Sequence, residues 1–317
     1  GMLQAGVEVY GGPLFNSWLD RELELAGRVA TADGGMHLVR TGPLLRIPQL
    51  AIHLDRKVNE GLTLDKQRHL VPVLGLDSEP SLLEQLGFGA GDVLGHDLVL
   101  TDTQPAGVVG SNWVSGPRLD NLGSCHSAVH ALLSSAGASH TQLWVANDHE
   151  EVGSGSAEGA RGSFLEDVLV RLVAATGDPD VQAYRQAVAR SRLVSADMAH
   201  AAHPNYADKH EPRHKPLLGG GPVLKSNANQ RYATDAPGAA AWARACRDAG
   251  IPSQVFVSRN TVPCGSTVGP IIATRLGIRT VDVGIAVLSM HSARELCGVD
   301  DPAYLVAAAT AFLADPS

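Results

Sequence analysis

Aromatic side chains are scarce. Phe, Tyr and Trp make up 4% of the 317 residues, although 44% are hydrophobic. A core built from this chain must therefore rest on Leu, Val, Ile and Ala. No apolar run reaches the roughly 18 residues that a membrane-spanning helix needs, so no helical span and no membrane partner are expected. Basic tracts are missing as well. Lys and Arg total 25 against 33 Asp and Glu, a formal charge of -8. No basic face interleaved with aromatics offers a surface to nucleic acid. Cysteine is limited to Cys125, Cys246, Cys264 and Cys297, widely separated. No pair has zinc-finger or redox spacing. They read as buried or free thiols in a reducing compartment. With no secretory-signal pattern at the start, the expected location is cytoplasmic.

Two textures divide what is present. Residues 1–104 hold short apolar runs broken by Gly and Pro, such as VEVYGGP, LLRIPQLAIHL and DVLGHDLVL. That spacing predicts a mainly β region with a helix near 81–86. From residue 105 to 317 strands alternate with helices, which predicts an α/β sheet with helices on its faces. Strands are expected at 142–146, 191–195, 254–258 and 280–287. Helices are expected at 122–133, 164–174, 237–249 and 302–313.

Carboxylates cluster where such a sheet places chemistry. The LWVA strand runs into Asp148, His149, Glu150 and Glu151; RLVSA runs into Asp197; VDVGIAV is followed by Ser289, Met290 and His291. Ligands of open α/β sheets bind beyond the carboxyl ends of strands. Adjacent acids such as Glu150 and Glu151 repel, and a divalent cation gives them a reason to coexist: one binds metal while the other handles a proton. Asp120 follows a Gly-Pro turn and precedes a helical run, so it also reads as a helix cap. His200, His203 and His210 lie close to Asp197 in sequence, and each reads equally well as a structural histidine.

The segments RLDNL, DHEEVGS, SADMAHAAHPNY, GPVLKSNANQRYATD, PCGSTVGP and SMHSARE occur in this order. Together with VEVYGGPLFNSWLDRELELAGRV and LRIPQLAIHLDRKVNEG, they resemble the successive signatures of the aspartyl aminopeptidases. The resemblance runs from about Gly6 to the last helical run. It implies a three-layer α/β zinc-peptidase domain with a mixed sheet and an inserted, mainly β dimerisation domain. It implies two zinc ions: Asp120 bridging both, Glu151 and His291 completing one, Asp197 binding the other, and Glu150 as general base. It also implies that Lys225 faces the side chain of an acidic N-terminal residue. His53 is implied to reach from the inserted domain into a neighbouring subunit's site. The expected activity is removal of N-terminal Asp or Glu from peptides by a homo-oligomer built from dimers, a dodecamer. The second zinc needs a further histidine from an HTDSP-like motif upstream of the YGG segment. These 317 residues contain no such motif, so a longer chain is expected to carry it. The competing expectation is a catalytically silent scaffold subunit or fragment without a complete dinuclear site.

Overall fold

The computed structural model describes residues 1–89, 91–135, 137–177 and 179–315. The chain divides into two compact units. The smaller comprises Gly1–Ala106 together with His291–Arg294, and the larger comprises Gly107–Met290 and Glu295–Ser317. Four residues of the SMHSARE segment group with the smaller unit.

The smaller unit contains β1 (Met2–Gln4), β2 (Leu23–Thr31), β3 (Met36–Arg40), β4 (Val73–Leu76), a short α1 (Leu82–Gln85) and β5 (Val93–Asp102). β2 is the centre of an antiparallel three-stranded sheet, flanked by β3 and β5, and β1 pairs with β4. Ser81 and Glu84 close a reciprocal capping box on α1, the local signal that makes so short a helix readable. The core is aliphatic: Leu19, Leu23, Leu25, Leu45, Ile47 and Leu70.

The larger unit contains β6 (Gly107–Val109), β7 (Trp113–Gly116), α2 (Leu119–Ser134), α3 (Phe164–Thr176), α4 (Val181–Arg190), β8 (Arg192–Ala196) and β9 (Ala199–His200). It continues through β10 (Val223–Ser226), α5 (Ala236–Asp248), β11 (Gln254–Val257), α6 (Val268–Leu276), β12 (Arg279–Gly284), β13 (Ala286–Leu288), β14 (Glu295–Gly298) and α7 (Asp301–Ala314). One mixed sheet has the order β11-β10-β12-β8 and a second the order β6-β7-β14-β13-β9. Alternation along β12 and β8 separates two faces. Val281, Val283 and Val194 pack with Trp242 of α5 and Leu305 and Phe312 of α7. Leu193 faces the other way, toward Tyr184 and Val188 of α4 and Ile272 and Leu276 of α6. The result is a sheet between two helical layers.

Three expectations need correction. The apolar segment 142–146 forms no strand. Its residues suit a strand, but a strand exists only as part of a ladder, and no ladder partner occurs among the described residues. The expected strand 280–287 is divided at Ile285 into β12 and β13, which belong to different sheets. A side chain at Gly284 would lie 1.8 Å from the Asp197 carbonyl oxygen, so only glycine permits that approach. Asp120 does not cap α2. Arg118 occupies the cap position, and Asp120 and Asn121 hold non-helical dihedrals within the first turn.

A buried carboxylate stitches the far end of this unit. Asp301, at the start of α7 and fully buried, accepts N–H bonds from Gly219 at 2.7 Å and Gly221 at 3.0 Å. Among the described residues no helix is long and apolar enough to cross a membrane.

Candidate metal centre

Each side chain of interest leaves a different element. Asp120 comes from the entry to α2, where its backbone N–H donates to Glu295 Oε2 of β14 at 2.8 Å. Its neighbour Asn121 donates from Nδ2 to the Ala196 carbonyl at 2.8 Å. These two bonds hold the RLDNL turn against the ends of β14 and β8. Asp197 follows β8 directly, and its N–H donates to the Val283 carbonyl at 2.9 Å.

Glu150 and Glu151 form a single 3-10 turn between His149 and Gly153, both left-handed. The loop around them is closed mostly by its own bonds, with Arg275 of α6 donating to the Ala160 carbonyl at 3.0 Å. Asp148 N–H donates to the Glu158 carbonyl, Ser154 N–H to the His149 carbonyl at 2.8 Å, and His149 Nδ1 lies 2.7 Å from Ser156 Oγ. Gly159 is packed so closely that a Cβ would lie 2.3 Å from the Ser154 carbonyl oxygen.

His291 lies between β13 and β14, whose antiparallel pairing, Leu288 with Leu296, ties down both ends of the connecting loop. Ser289 and His291 both have positive φ, 58° and 66°. His291 Nδ1 lies 3.1 Å from the Gly12 carbonyl oxygen. A carbonyl can only accept, so Nδ1 is the donor in this contact.

Ligand atoms of Asp120, Glu151 and His291 all lie within 4.8 Å of one another. Two carboxylates and an imidazole are a zinc-type donor set. A histidine whose other nitrogen donates to a backbone carbonyl is the usual orientation of a metal-binding imidazole. The surrounding charge fits a cation as well. Burial pushes the Asp197 carboxyl up to about 8; Lys225 opposes the rise, while Asp120 and Glu150 add to it. So many acids in one place are costly unless a cation is present, and a dication reverses the sign of that cost.

Lys225 on β10 is 2% exposed. Its Nζ lies 3.4 Å from Asp197 Oδ2 and 5.4 Å from the centre of the Tyr232 ring. His53 sits on an exposed turn of the smaller unit. The other histidines have local partners. His200 meets the Phe256 ring edge-on, and His203 accepts the Asn205 N–H. Burial holds His210 below its ordinary value. None of the three joins a metal-type group among the described residues. Sequence reading missed Glu295, which is 2% exposed and holds Asp120. It lies in SMHSARE, a segment quoted for its histidine.

The family profile described as aminopeptidase I zinc metalloprotease (M18) matches residues 1–313. A probable M18 family aminopeptidase 2 of Streptomyces coelicolor is 51% identical over 328 residues, covering 99% of this chain and 76% of that protein. Among solved structures, a chain in the cryo-EM structure of the Ape4 and Nbr1 complex is 38% identical with a TM-score of 0.89. It covers 99% of this chain, which spans 66% of that one. The S. cerevisiae mApe1 dodecamer is 27% identical with a TM-score of 0.80, covering 98% of this chain and 73% of that one. With its α/β fold and its carboxylate and imidazole group, the chain belongs to the M18 family of zinc metalloproteases of the aminopeptidase I type.

Proposed function

We propose that this chain removes N-terminal residues from peptides, with preference for Asp or Glu, by a two-zinc mechanism with a carboxylate base. The observation that carries the reading is the convergence of Asp120, Glu151 and His291 to within 4.8 Å. These three would hold one zinc. Asp197, with Asp120 shared, would hold part of a second, together with the upstream histidine that the family resemblance implies. When bound, zinc supplies Lewis acidity toward the scissile carbonyl and makes water acidic near neutral pH.

The remaining chemistry falls to side chains. Glu150 adjoins Glu151 in the same 3-10 turn, and in this reading it is the base. It takes the proton of the attacking water and returns it to the leaving amine. Glu150→Gln should retain zinc while lowering kcat on the order of 10²–10⁴-fold. Glu151→Gln should instead lower zinc content. Metal analysis beside turnover of an Asp-peptide checks both, and the reverse pattern would exchange the two roles.

Lys225 is the proposed source of acidic preference. Its ammonium is buried beside Asp197, so with Asp197 occupied by metal it can pair with a substrate carboxylate. Removing one partner of a buried pair costs on the order of 2–5 kcal/mol, roughly 30- to 1000-fold or more. Lys225→Met should lower kcat/KM for Asp substrates by that amount and for Leu substrates far less. An unchanged Asp-to-Leu ratio would move the preference to another cation, Arg231 or Lys215.

In this reading residues 1–104 serve as the inserted dimerisation domain, and residues 105–317 form the C-terminal part of the catalytic domain. His53 on its exposed turn would reach a neighbouring subunit's substrate. The dodecamer known for the yeast relative is the proposed assembly. Loss of activity in His53→Ala, partly recovered on subunit exchange with the Glu150→Gln protein, would support the cross-subunit role.

A further inference from the structure

His291 has a backbone conformation that side chains rarely adopt, and neither a helix nor a strand ladder holds it. The structure shows what does. The Leu14 N–H donates to the His291 carbonyl at 2.9 Å, and Nδ1 meets the Gly12 carbonyl oxygen. Two residues on, the Ala293 N–H donates to Ser17 Oγ at 2.9 Å. Arg294 then anchors the segment through charge. Its guanidinium reaches Asp102 Oδ2 at 3.4 Å, the Gln104 carbonyl at 2.8 Å and the Pro105 carbonyl at 3.1 Å. The Asp102 carboxylate is 3% exposed and is also bound by Arg21 at 3.1 Å. All these groups belong to the smaller unit, so the anchor is internal to it.

We propose that Arg294 and Asp102 are positioning residues for His291, fixing the loop from which its imidazole presents Nε2 to a metal. A guanidinium is suited to this because its rigid fork can satisfy a carboxylate and two carbonyls together. Asp102 is suited because, buried between two guanidinium groups, it cannot drift without leaving charge unpaired. Neither residue is a member of the metal-type group. Their effect passes along the segment: Arg294 fixes its end, Ser17 its middle, and Leu14 and Gly12 the histidine itself. The inference rests on His291 being a zinc ligand, and its test separates the two ideas.

Zinc affinity of the intact protein is measured by competition with a chromophoric chelator after the metal has been removed, in a double-mutant cycle of Arg294→Met with His291→Ala. Circular dichroism of each metal-free variant verifies folding. Arg294→Met is expected to weaken zinc binding by about 10–100-fold, the usual cost of losing an outer partner of a metal ligand. In the His291→Ala background the same change is expected to alter affinity by less than about twofold, because there is no longer an imidazole to position. Asp102→Asn, which keeps the volume of the buried group, is taken through the same cycle and decides the matter if Arg294→Met does not fold. An equal loss in both backgrounds would overturn the proposal, since the residues would then act without His291. So would unchanged zinc affinity in a folded single variant. If His291→Ala itself leaves zinc affinity unchanged, the ligand assignment falls, and the positioning role falls with it.

Discussion

The loop carrying Glu150 and Glu151 is held largely by its own backbone, through bonds within residues 148–161 and close packing at Gly159, with one long-range bond from Arg275 to the Ala160 carbonyl. The loop carrying His291 is held by Gly12, Leu14, Ser17 and Asp102, nearly two hundred or more positions away in sequence. Most bonds of the first close over short stretches of chain. The second has its ends tied locally by the pairing of β13 with β14, but the contacts that fix its middle come from segments far apart in sequence, which costs loop-closure entropy. Two ligands of one candidate site thus differ in what their geometry depends on.

The largest effect expected concerns charge, and it asks whether either loop matters as much as the acidic side chain of Asp197. In the metal-free protein the Asp197 carboxyl is raised from 3.8 to about 8. Folding then takes up a proton that the unfolded chain has already lost between those values. The contribution to stability is full below about pH 4 and is lost as pH rises through about 8. Denaturation of metal-free protein from pH 5 to 8.5 should show this decline. Zinc should flatten it and release protons on binding, which calorimetry in buffers of different ionisation enthalpy measures. A metal-free protein with no decline would mean that Asp197 is already balanced.

Next in size is a change that breaks only the local loop. Gly159→Ala places a Cβ against the Ser154 backbone and should cost about 1–3 kcal/mol, as overpacking usually does. Zinc affinity should fall because Glu151 moves, while cobalt substitution should still report an imidazole ligand. A lost imidazole signature would show that the two loops are not independent.

Glu295→Ala should cost about 1–3 kcal/mol by leaving the Asp120 N–H unsatisfied, whereas Glu295→Gln retains an acceptor and should cost less. Chemical denaturation of both variants gives the comparison. The smallest effect is expected at Ser17→Ala. It removes one bond to the His291 loop, about 0.5–1.5 kcal/mol, and should leave the Glu150 loop untouched by hydrogen exchange.

The same contrast explains what could be read from the sequence. The helix at 164–174 was legible from its apolar stripe and those at 237–249 and 302–313 from a proline at the start, all local signals; α3, α5 and α7 follow them closely. Asp120, Glu151 and His291 were legible as candidates because ordered motifs surround them. Arg294 and Asp102 were not, because no pattern along the chain says that residues 192 positions apart share a salt bridge. The segment 142–146 failed for a related reason: residue type gives a propensity to extend, but pairing depends on a neighbour. The break at Ile285 was hidden because an apolar run reads the same whether it serves one sheet or two.

The Asp301 carboxylate that receives Gly219 and Gly221 has a consequence on a slower timescale. Glycine-rich connections ordinarily exchange their amide hydrogens quickly. Here the acceptor is fully buried at the first turn of α7 and Gly221 is buried with it, so water reaches the Gly221 amide when that helix end opens. Its exchange rate would therefore follow the undocking of α7, not the flexibility of the loop in which it lies. The stretch leading into β10, and so to Lys225, would be as long-lived as the C-terminal helix that grips it.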